Sequence, residues 1–467
     1  MTGMDENPAA LLPEILLAGG SVVGLLLGSW LPRTRQWVVA LVAAAVCVAG
    51  IVAAAVASAG PDSTAFGGAF AVDAPTTTCR IAVLAGLLVV IGLGAGPLRA
   101  DPRESEFHVL LQLGALGALV LAGAQDLLLL SAGYLLASVP AYALAGFRKD
   151  GPGTEAALKF YVVGAFLGVL MLSGVTLLYA AGRATGYPAL DAALRDAPRG
   201  LVVVGAVGLL AGLLFKAGAV PAHFWVPDAV QGSAAPVAAF LTTLPKIGAL
   251  VALGRLGAVP LAGGPLPWAA LIAVVSAASM TLGNLGAFFQ RDVKRLLGYS
   301  AISQIGYLLL PVAVTGRASL AQPALLYYLF AYTVTNLGAF AVVCALPDAR
   351  ETADYRGLAR RRPLLAASLV VCLLGLVGTP PTAVFLGKLE AFTAAFDGGH
   401  GRLAVLAAVN TVASLFYYLR WIVPAVTPGA GGRLRDGGRG PRLLACATAA
   451  GSVVLGLVGG PVLAALR

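Results

Sequence analysis

Charge is what this chain has least of. Only 11% of its 467 residues are Asp, Glu, Lys or Arg, against 59% hydrophobic, with a mean hydropathy of +0.89. Soluble globular domains have quite different proportions, so membrane becomes the default reading. Cysteine is also scarce: Cys47, Cys79, Cys344, Cys372 and Cys446 are scattered with no C-x-x-C spacing. Neither a metal site nor a disulfide framework is indicated, and the four cysteines in apolar runs read as small buried hydrophobes. The first ten residues hold Asp5 and Glu6 but no Lys or Arg, which is not how a cleavable signal peptide opens. The first apolar run is therefore expected to be retained. No G-x-x-x-x-G-K-[ST] loop and no H-x-x-x-H pair occurs, and the GLGAG stretch at Gly92–Gly96 fails the dinucleotide pattern because Pro97 takes the third-glycine place. With no nucleotide or redox centre legible, any energy must come from an ion gradient or a partner protein. Moving one proton against about 150 mV costs about 3.5 kcal/mol.

What is there is a series of apolar runs of about 20 residues, each long enough to cross the hydrocarbon core as a helix. Fourteen spans are predicted, near 11–31, 37–59, 78–96, 107–124, 127–146, 157–181, 201–227, 235–257, 267–288, 297–315, 323–345, 363–396, 403–425 and 443–464. Only Ala124 to Asp126 separates the fourth from the fifth. Short alternating segments, which a closed barrel would need, are not the pattern. The expected fold is an all-α polytopic membrane protein.

The formal charge of +10 invites nucleic acid as a partner, but the basic residues sit in the loops. Binding to an anionic lipid surface accounts for that placement. With both termini outside, the inner loops hold eighteen Lys and Arg, including Arg33, Arg148, Lys294, Arg362, Arg433 and Arg442. The outer set holds eight: Arg80, Arg183, Arg195, Arg199, Arg255, Arg317, Arg402 and Arg467. The positive-inside rule thus predicts both termini on the periplasmic side of a bacterial plasma membrane. Five basic residues remain for the spans: Lys159, Lys216, Lys246, Lys388 and Arg420.

Proline interrupts two spans beside a lysine, in LLFKAGAVPAHFW (Leu213 to Trp225) and LLGLVGTPPTAVFLGK (Leu373 to Lys388). Each reads as a broken helix, tolerated at membrane depth only where protein or trapped water satisfies the freed carbonyls. They are the seventh and twelfth spans, which predicts two inverted five-helix repeats, 107–257 and 267–425, flanked by helices in 1–96 and 443–464.

Lys246 falls near the middle of its span, after Pro245. An ammonium there costs about 2.5–3.5 kcal/mol on insertion scales, and snorkelling from that depth needs a reach of around 15 Å. Lys216 and Lys388 adjoin the helix breaks, and Lys159 lies near a helix start. Burial in general disfavours an ammonium, so lysines in a hydrated pocket can pass protons. His223, inside the seventh span, is a candidate link. His108 and His400, at span ends, are expected to be solvated.

Several stretches, together covering nearly the whole chain, resemble the subunit N family of bacterial NADH-quinone oxidoreductases, antiporter-like membrane subunits related to mitochondrial subunit 2. They are LLPEILLAGG (Leu11 to Gly20), EAALKFYVVGAF (Glu155 to Phe166), LLFKAGAVPAHFWVPD (Leu213 to Asp228), RDVKRLLGYSAISQIGYLLL (Arg291 to Leu310), GTPPTAVFLGK (Gly378 to Lys388) and NTVASLFYYLR (Asn410 to Arg420). The lysine-proline and GTPPTA motifs belong to the wider superfamily; HFWVPD and NTVASLFYYLR favour subunit N. The resemblance implies a proton-translocating subunit of a respiratory enzyme, with Lys159, Lys216, Lys246 and Lys388 as relay lysines and His223 on the central axis. It also implies that FMN, iron-sulfur clusters and quinone belong to partner subunits. This chain would hold no redox centre and no cofactor, and its partners would be other membrane subunits and the lipid bilayer, with no nucleic acid.

Two departures stand out. Where the family carries a glutamate in the fifth span, this chain reads SAGYLLAS and places Tyr134 there, and VQGSAAPV puts Gln231 where the family carries another. The carboxylate partner of the seventh-span lysine is thereby missing. Alternative readings are a subunit of a multisubunit cation/proton antiporter or membrane hydrogenase, and a divergent copy of subunit N with a structural role and impaired pumping.

Overall fold

The computed structural model describes residues 8–96, 99, 101–429 and 435–466. Asp5, Glu6, Pro97, Arg433 and Arg467, all weighed above, lie outside the described residues. In chain order come α1 (Leu12–Trp30), α2 (Trp37–Ala57), α3 (Ala74–Gly94), α4 (Glu104–Gly123), α5 (Leu127–Ala145), α6 (Gly151–Gly182) and the short α7 (Tyr187–Leu194). The seventh span is split into α8 (Arg199–Ala217) and α9 (Trp225–Gly232). Then follow α10 (Ala235–Ala258), α11 (Trp268–Phe288), α12 (Val293–Ala313), α13 (Ala321–Ala345) and the one-turn α14 (Leu358–Arg361). The twelfth span is split into α15 (Pro363–Val377) and α16 (Ala383–Asp397), before α17 (Gly401–Val426), α18 (Arg439–Leu457) and α19 (Gly459–Ala465). Thirteen helices among the described residues are long and apolar enough to cross a membrane. With the split twelfth span they make the fourteen crossings read from the sequence. An antiparallel hairpin, β1 (Ser63–Ala65) with β2 (Phe70–Val72), fills the loop between α2 and α3.

Local chemistry sets several of these boundaries. The three residues from Ala124 to Asp126 are enough to separate α4 from α5, because the Asp126 carboxylate accepts from the N–H groups of Leu128 and Leu129 at 2.7 and 3.2 Å. That is an N-cap. Asp150 does the same for α6 through Gly153 at 2.9 Å, so α6 starts at Gly151 and carries Glu155 and Lys159 beyond the apolar run. The last span ends at Leu457, short of the expected 464, where α18 gives way to α19.

α10, α12 and α13 are apolar along their length yet almost entirely buried, so they form the interior. α1, α2, α6, α17 and α18 turn large apolar side chains outward, among them Val52, Val56, Phe166, Val169 and Phe416. In water such exposure would be costly; in a multi-pass membrane protein the lipid tails cover it. Small residues bring helices close: a Cβ at Gly174 of α6 would meet the Leu209 nitrogen of α8 at 2.3 Å, so only glycine permits that contact.

Arg80, counted with the outer loops by sequence, belongs elsewhere. Arg80 lies within α3, fully buried, and its guanidinium binds both carboxylate oxygens of Glu14 on α1 at 2.8 and 2.7 Å and the Ala10 carbonyl at 2.9 Å. A buried guanidinium needs such a partner; α3 starts at Ala74, ahead of the apolar run that begins at Ile81, so its first turns carry Arg80 into the protein.

Candidate functional site

Both breaks end on a glycine in the left-handed region, Gly218 (φ 75°) after α8 and Gly378 (φ 92°) after α15. Each glycine packs against a lysine. A Cβ at Gly218 would lie 3.0 Å from Lys246 Nζ, and one at Gly378 would lie 3.0 Å from Lys388 Cδ. In the twelfth span the chemistry of the break can be followed atom by atom. The carbonyls of Leu376 and Val377 would pair in a continuous helix with the nitrogens of residues 380 and 381, but both are prolines and carry no N–H. Lys388 Nζ donates to these two carbonyls instead, at 3.3 and 2.9 Å. The Leu376 carbonyl takes a second bond, from Gln304 Nε2 at 2.7 Å, and the Tyr307 ring lies 3.9 Å from Lys388 Nζ.

Lys216 and Lys246 are 3% and 1% exposed, and among the described residues neither Nζ has a hydrogen-bond partner. The Tyr134 ring centroid lies 5.2 Å from Lys216 Nζ. Tyr134 thus stands beside Lys216, where the family resemblance leads us to expect a carboxylate partner. Its own hydroxyl turns to the Gly164 carbonyl, at 3.4 Å.

Between Lys246 and Lys388 runs a file of polar groups on α13. Asn336 Nδ2 donates to Thr242 Oγ1 and Thr243 Oγ1 of α10, both at 3.1 Å, and the Tyr332 hydroxyl donates to the Thr242 carbonyl at 2.9 Å. The Tyr328 hydroxyl donates to Gln304 Oε1 at 2.6 Å, which leads to Lys388 through the shared Leu376 carbonyl. Sequence reading missed these residues. The signal was present, since Tyr328, Tyr332 and Asn336 recur at helical spacing along one face of an otherwise apolar span.

Lys159 is not brought into this buried group. Its side chain is about half exposed and its Nζ pairs with Glu155 at 2.7 Å and Asp228 at 3.0 Å. Asp228 also binds Arg295 at 2.5 Å, and Gln231 Oε1 accepts from the same guanidinium nitrogen at 3.0 Å. These groups line a vestibule of about 990 Å³ at the Ala235 end of α10, together with Asp101, Arg148, Lys294 and Arg350. Burial acts to raise the Asp101 carboxyl, but the hydrogen bonds and charge of Arg103 hold it below its ordinary value. At the opposite end of α10 a second cavity, about 220 Å³, is lined by Gln125, Tyr187, Arg255 and Gln322. Lys246 lies between the two along the helix.

His223 stands in the unwound segment between α8 and α9, partly buried, with its ring 4.5 Å from Phe224 and no partner at Nδ1. His108 corrects the expectation of solvation: it is fully buried, and among the described residues neither ring nitrogen has a hydrogen-bond partner. α4 begins at Glu104, a turn before the apolar run, and α1 packs against that end through Gly28 at Ser105 and Gly24 at Val109. His400 is partly exposed, and its Nδ1 lies 3.0 Å from the Gly398 carbonyl. Among the described residues no group of three or more His, Cys, Asp or Glu is placed to hold a metal ion.

Residues 124–414 match the family model for the transmembrane region of NADH:quinone oxidoreductase and Mrp antiporters. The NADH-quinone oxidoreductase subunit N of Mycobacterium sp. (strain JLS) is 53% identical over 98% of this chain and 97% of its own length. The chain belongs to the subunit N family. A chain of respiratory complex I from Thermus thermophilus, solved with bound aureothin, superposes on this subunit N family member with a TM-score of 0.85, at 34% identity over 97% of this chain and 99% of that one. A chain of the Mrp complex from Dietzia sp. DQ12-45-1b has a TM-score of 0.87 at 22% identity, covering 98% and 96%, and shares the fold.

Proposed function

We propose that this chain is the proton-translocating membrane subunit N of an NADH-quinone oxidoreductase, with Lys216, Lys246 and Lys388 as its buried proton-carrying groups. The carrying observation is that these three lysines converge on two helix breaks, each enclosed and, among the described residues, none paired with a carboxylate. Ionisable groups held inside a membrane at such expense mark ion pathways. The cavities at the two ends of α10 supply aqueous approaches from opposite faces, and the α13 file links the halves, 107–257 and 267–425, read as inverted repeats. Lys159 belongs to the vestibule end of the path, and His223 lies beside the break that separates Lys216 from α9.

The charge asymmetry of the loops assigns the vestibule to the cytoplasmic face and both termini to the periplasmic face. FMN, iron-sulfur clusters and quinone are assigned to partner subunits, and this chain to a membrane arm without a redox centre of its own. Tyr134 favours one competing reading, a divergent copy that keeps its place in the complex but pumps poorly. Proton pumping by the assembled complex decides between them. Lys246→Ala and Lys388→Ala are each expected to lower protons moved per NADH oxidised while assembly persists. Arginine replacements rescue poorly, because a guanidinium keeps its proton. Normal pumping in both alanine variants would overturn the relay.

A further inference from the structure

We infer that Phe160, Trp225 and Phe215 form a closed water gate between the vestibule and Lys216, latched by the Lys159–Asp228–Arg295 ion pairs. The vestibule and the Lys216 pocket are walled by the same three elements. Lys159 of α6, Asp228 of α9 and Pro236 of α10 line the vestibule, whereas Phe160, Trp225, Leu241 and Pro245 from those helices close over Lys216 together with Phe215. Phe160 and Trp225 stack between the two spaces, with ring centroids 4.1 Å apart and planes at 19°, and Phe215 backs both at 5.7 and 5.4 Å. All three rings are at most 4% exposed. The space beyond them around Lys216 has room for no water-sized sphere. An apolar constriction of this kind blocks water and protons by dewetting.

The rings are mounted so that the gate can move. Trp225 is the first residue of α9 and follows directly on the unwound stretch after Gly218, a hinge in a span otherwise held rigid by helix. Its indole N–H donates to the Phe215 carbonyl at 3.1 Å, next to Lys216, so displacing α9 breaks that bond and separates the stack. Asp228, one turn further along the same eight-residue helix, is fixed by Lys159 at 3.0 Å and Arg295 at 2.5 Å. Those pairs hold α9 against α6 and α12. Weakening them frees the helix that carries Trp225. Lys159 is accordingly a positioning residue of the latch, which gives its half-exposed, paired state a role distinct from that of the buried lysines.

The gate rests on the proposed relay, so its test reads water access separately from proton transfer. In inverted membrane vesicles bearing the whole complex, Lys216→Cys serves as a reporter, and its labelling by methanethiosulfonate ethylammonium is followed by mass spectrometry of its peptide. Slow labelling is expected, rising tenfold or more with Trp225→Ala or Phe160→Ala and severalfold with Asp228→Asn. Trp225→Phe, which keeps a ring but loses the indole bond, falls between. Fast labelling of the reporter with all three rings intact, or no acceleration in assembled Trp225→Ala and Phe160→Ala complexes, overturns the gate. The second readout is passive proton leak without NADH in complexes that retain Lys216. Accelerated labelling with an increased leak supports both gate and relay; accelerated labelling without a leak supports the gate and removes Lys216 from the relay.

Discussion

Lys388 Nζ sits 2.9 Å from the Val377 carbonyl, an oxygen left without a helical donor because residue 381 is proline. The break and the lysine are therefore one device: the sequence removes an N–H and the side chain replaces it. Pro381→Ala returns a competing N–H. Coupled proton transfer is expected to fall by a factor of about 2–10, the span of one net hydrogen bond of about 0.5–1.5 kcal/mol. The ratio of protons pumped to NADH oxidised checks this, with the amount of assembled complex as control.

Tyr134 faces Lys216 with a ring and no charge, 5.2 Å from Nζ. Tyr134→Glu supplies the carboxylate that the family pattern carries and is expected to strengthen proton coupling. Asp126→Asn changes little, because Asp126 acts as a helix cap through the N–H groups of Leu128 and Leu129, and asparagine caps about as well. Loss of coupling in both variants would mean that Asp126 had taken over the carboxylate role.

Asp73 caps α3 and grips Arg255 with two bonds, at 2.8 and 2.6 Å. Burial acts to raise its pKa, but the hydrogen bonds and charge of Arg255 outweigh this and hold it below the ordinary aspartate value. A group whose folded pKa is depressed stabilises the fold fully above its unfolded pKa, near 3.9 for aspartate, and loses that contribution as pH falls through the folded value. Asp73→Asn keeps the cap and removes the charge. It is expected to cost about 1.5–3 kcal/mol at neutral pH, the range for a hydrogen bond to a charged group, with the difference from wild type shrinking at acid pH. Thermal unfolding of the purified complex across that range checks it.

Among the described residues Glu14 is the sole carboxylate bound to the buried Arg80. Glu14→Ala strands that guanidinium at a cost of about 3–5 kcal/mol, and the amount of assembled complex in membranes is expected to fall sharply. Glu14→Ala with Arg80→Leu removes both charges and restores most of it. Failure of the double variant to recover would place the defect in packing.

Membrane class, fourteen spans and the two breaks were legible because they depend on local chemistry: apolar run length, and a proline that lacks an N–H whatever surrounds it. The three central lysines were legible for the same reason, since a cation in an apolar run is conspicuous. What sequence could not decide is which faces meet. Arg80 lies 66 positions from Glu14, and nothing local announces that α1 and α3 bury them together. His108 looked like a solvated span-end residue, yet helix packing buries it completely. Lys159, near a helix start, was grouped with Lys216 as a relay lysine, yet one faces an open vestibule with two carboxylates and the other lies behind three aromatic rings. Spacing and hydropathy determine where a helix runs and where it breaks; the company a side chain keeps across the bundle is fixed only when the helices pack.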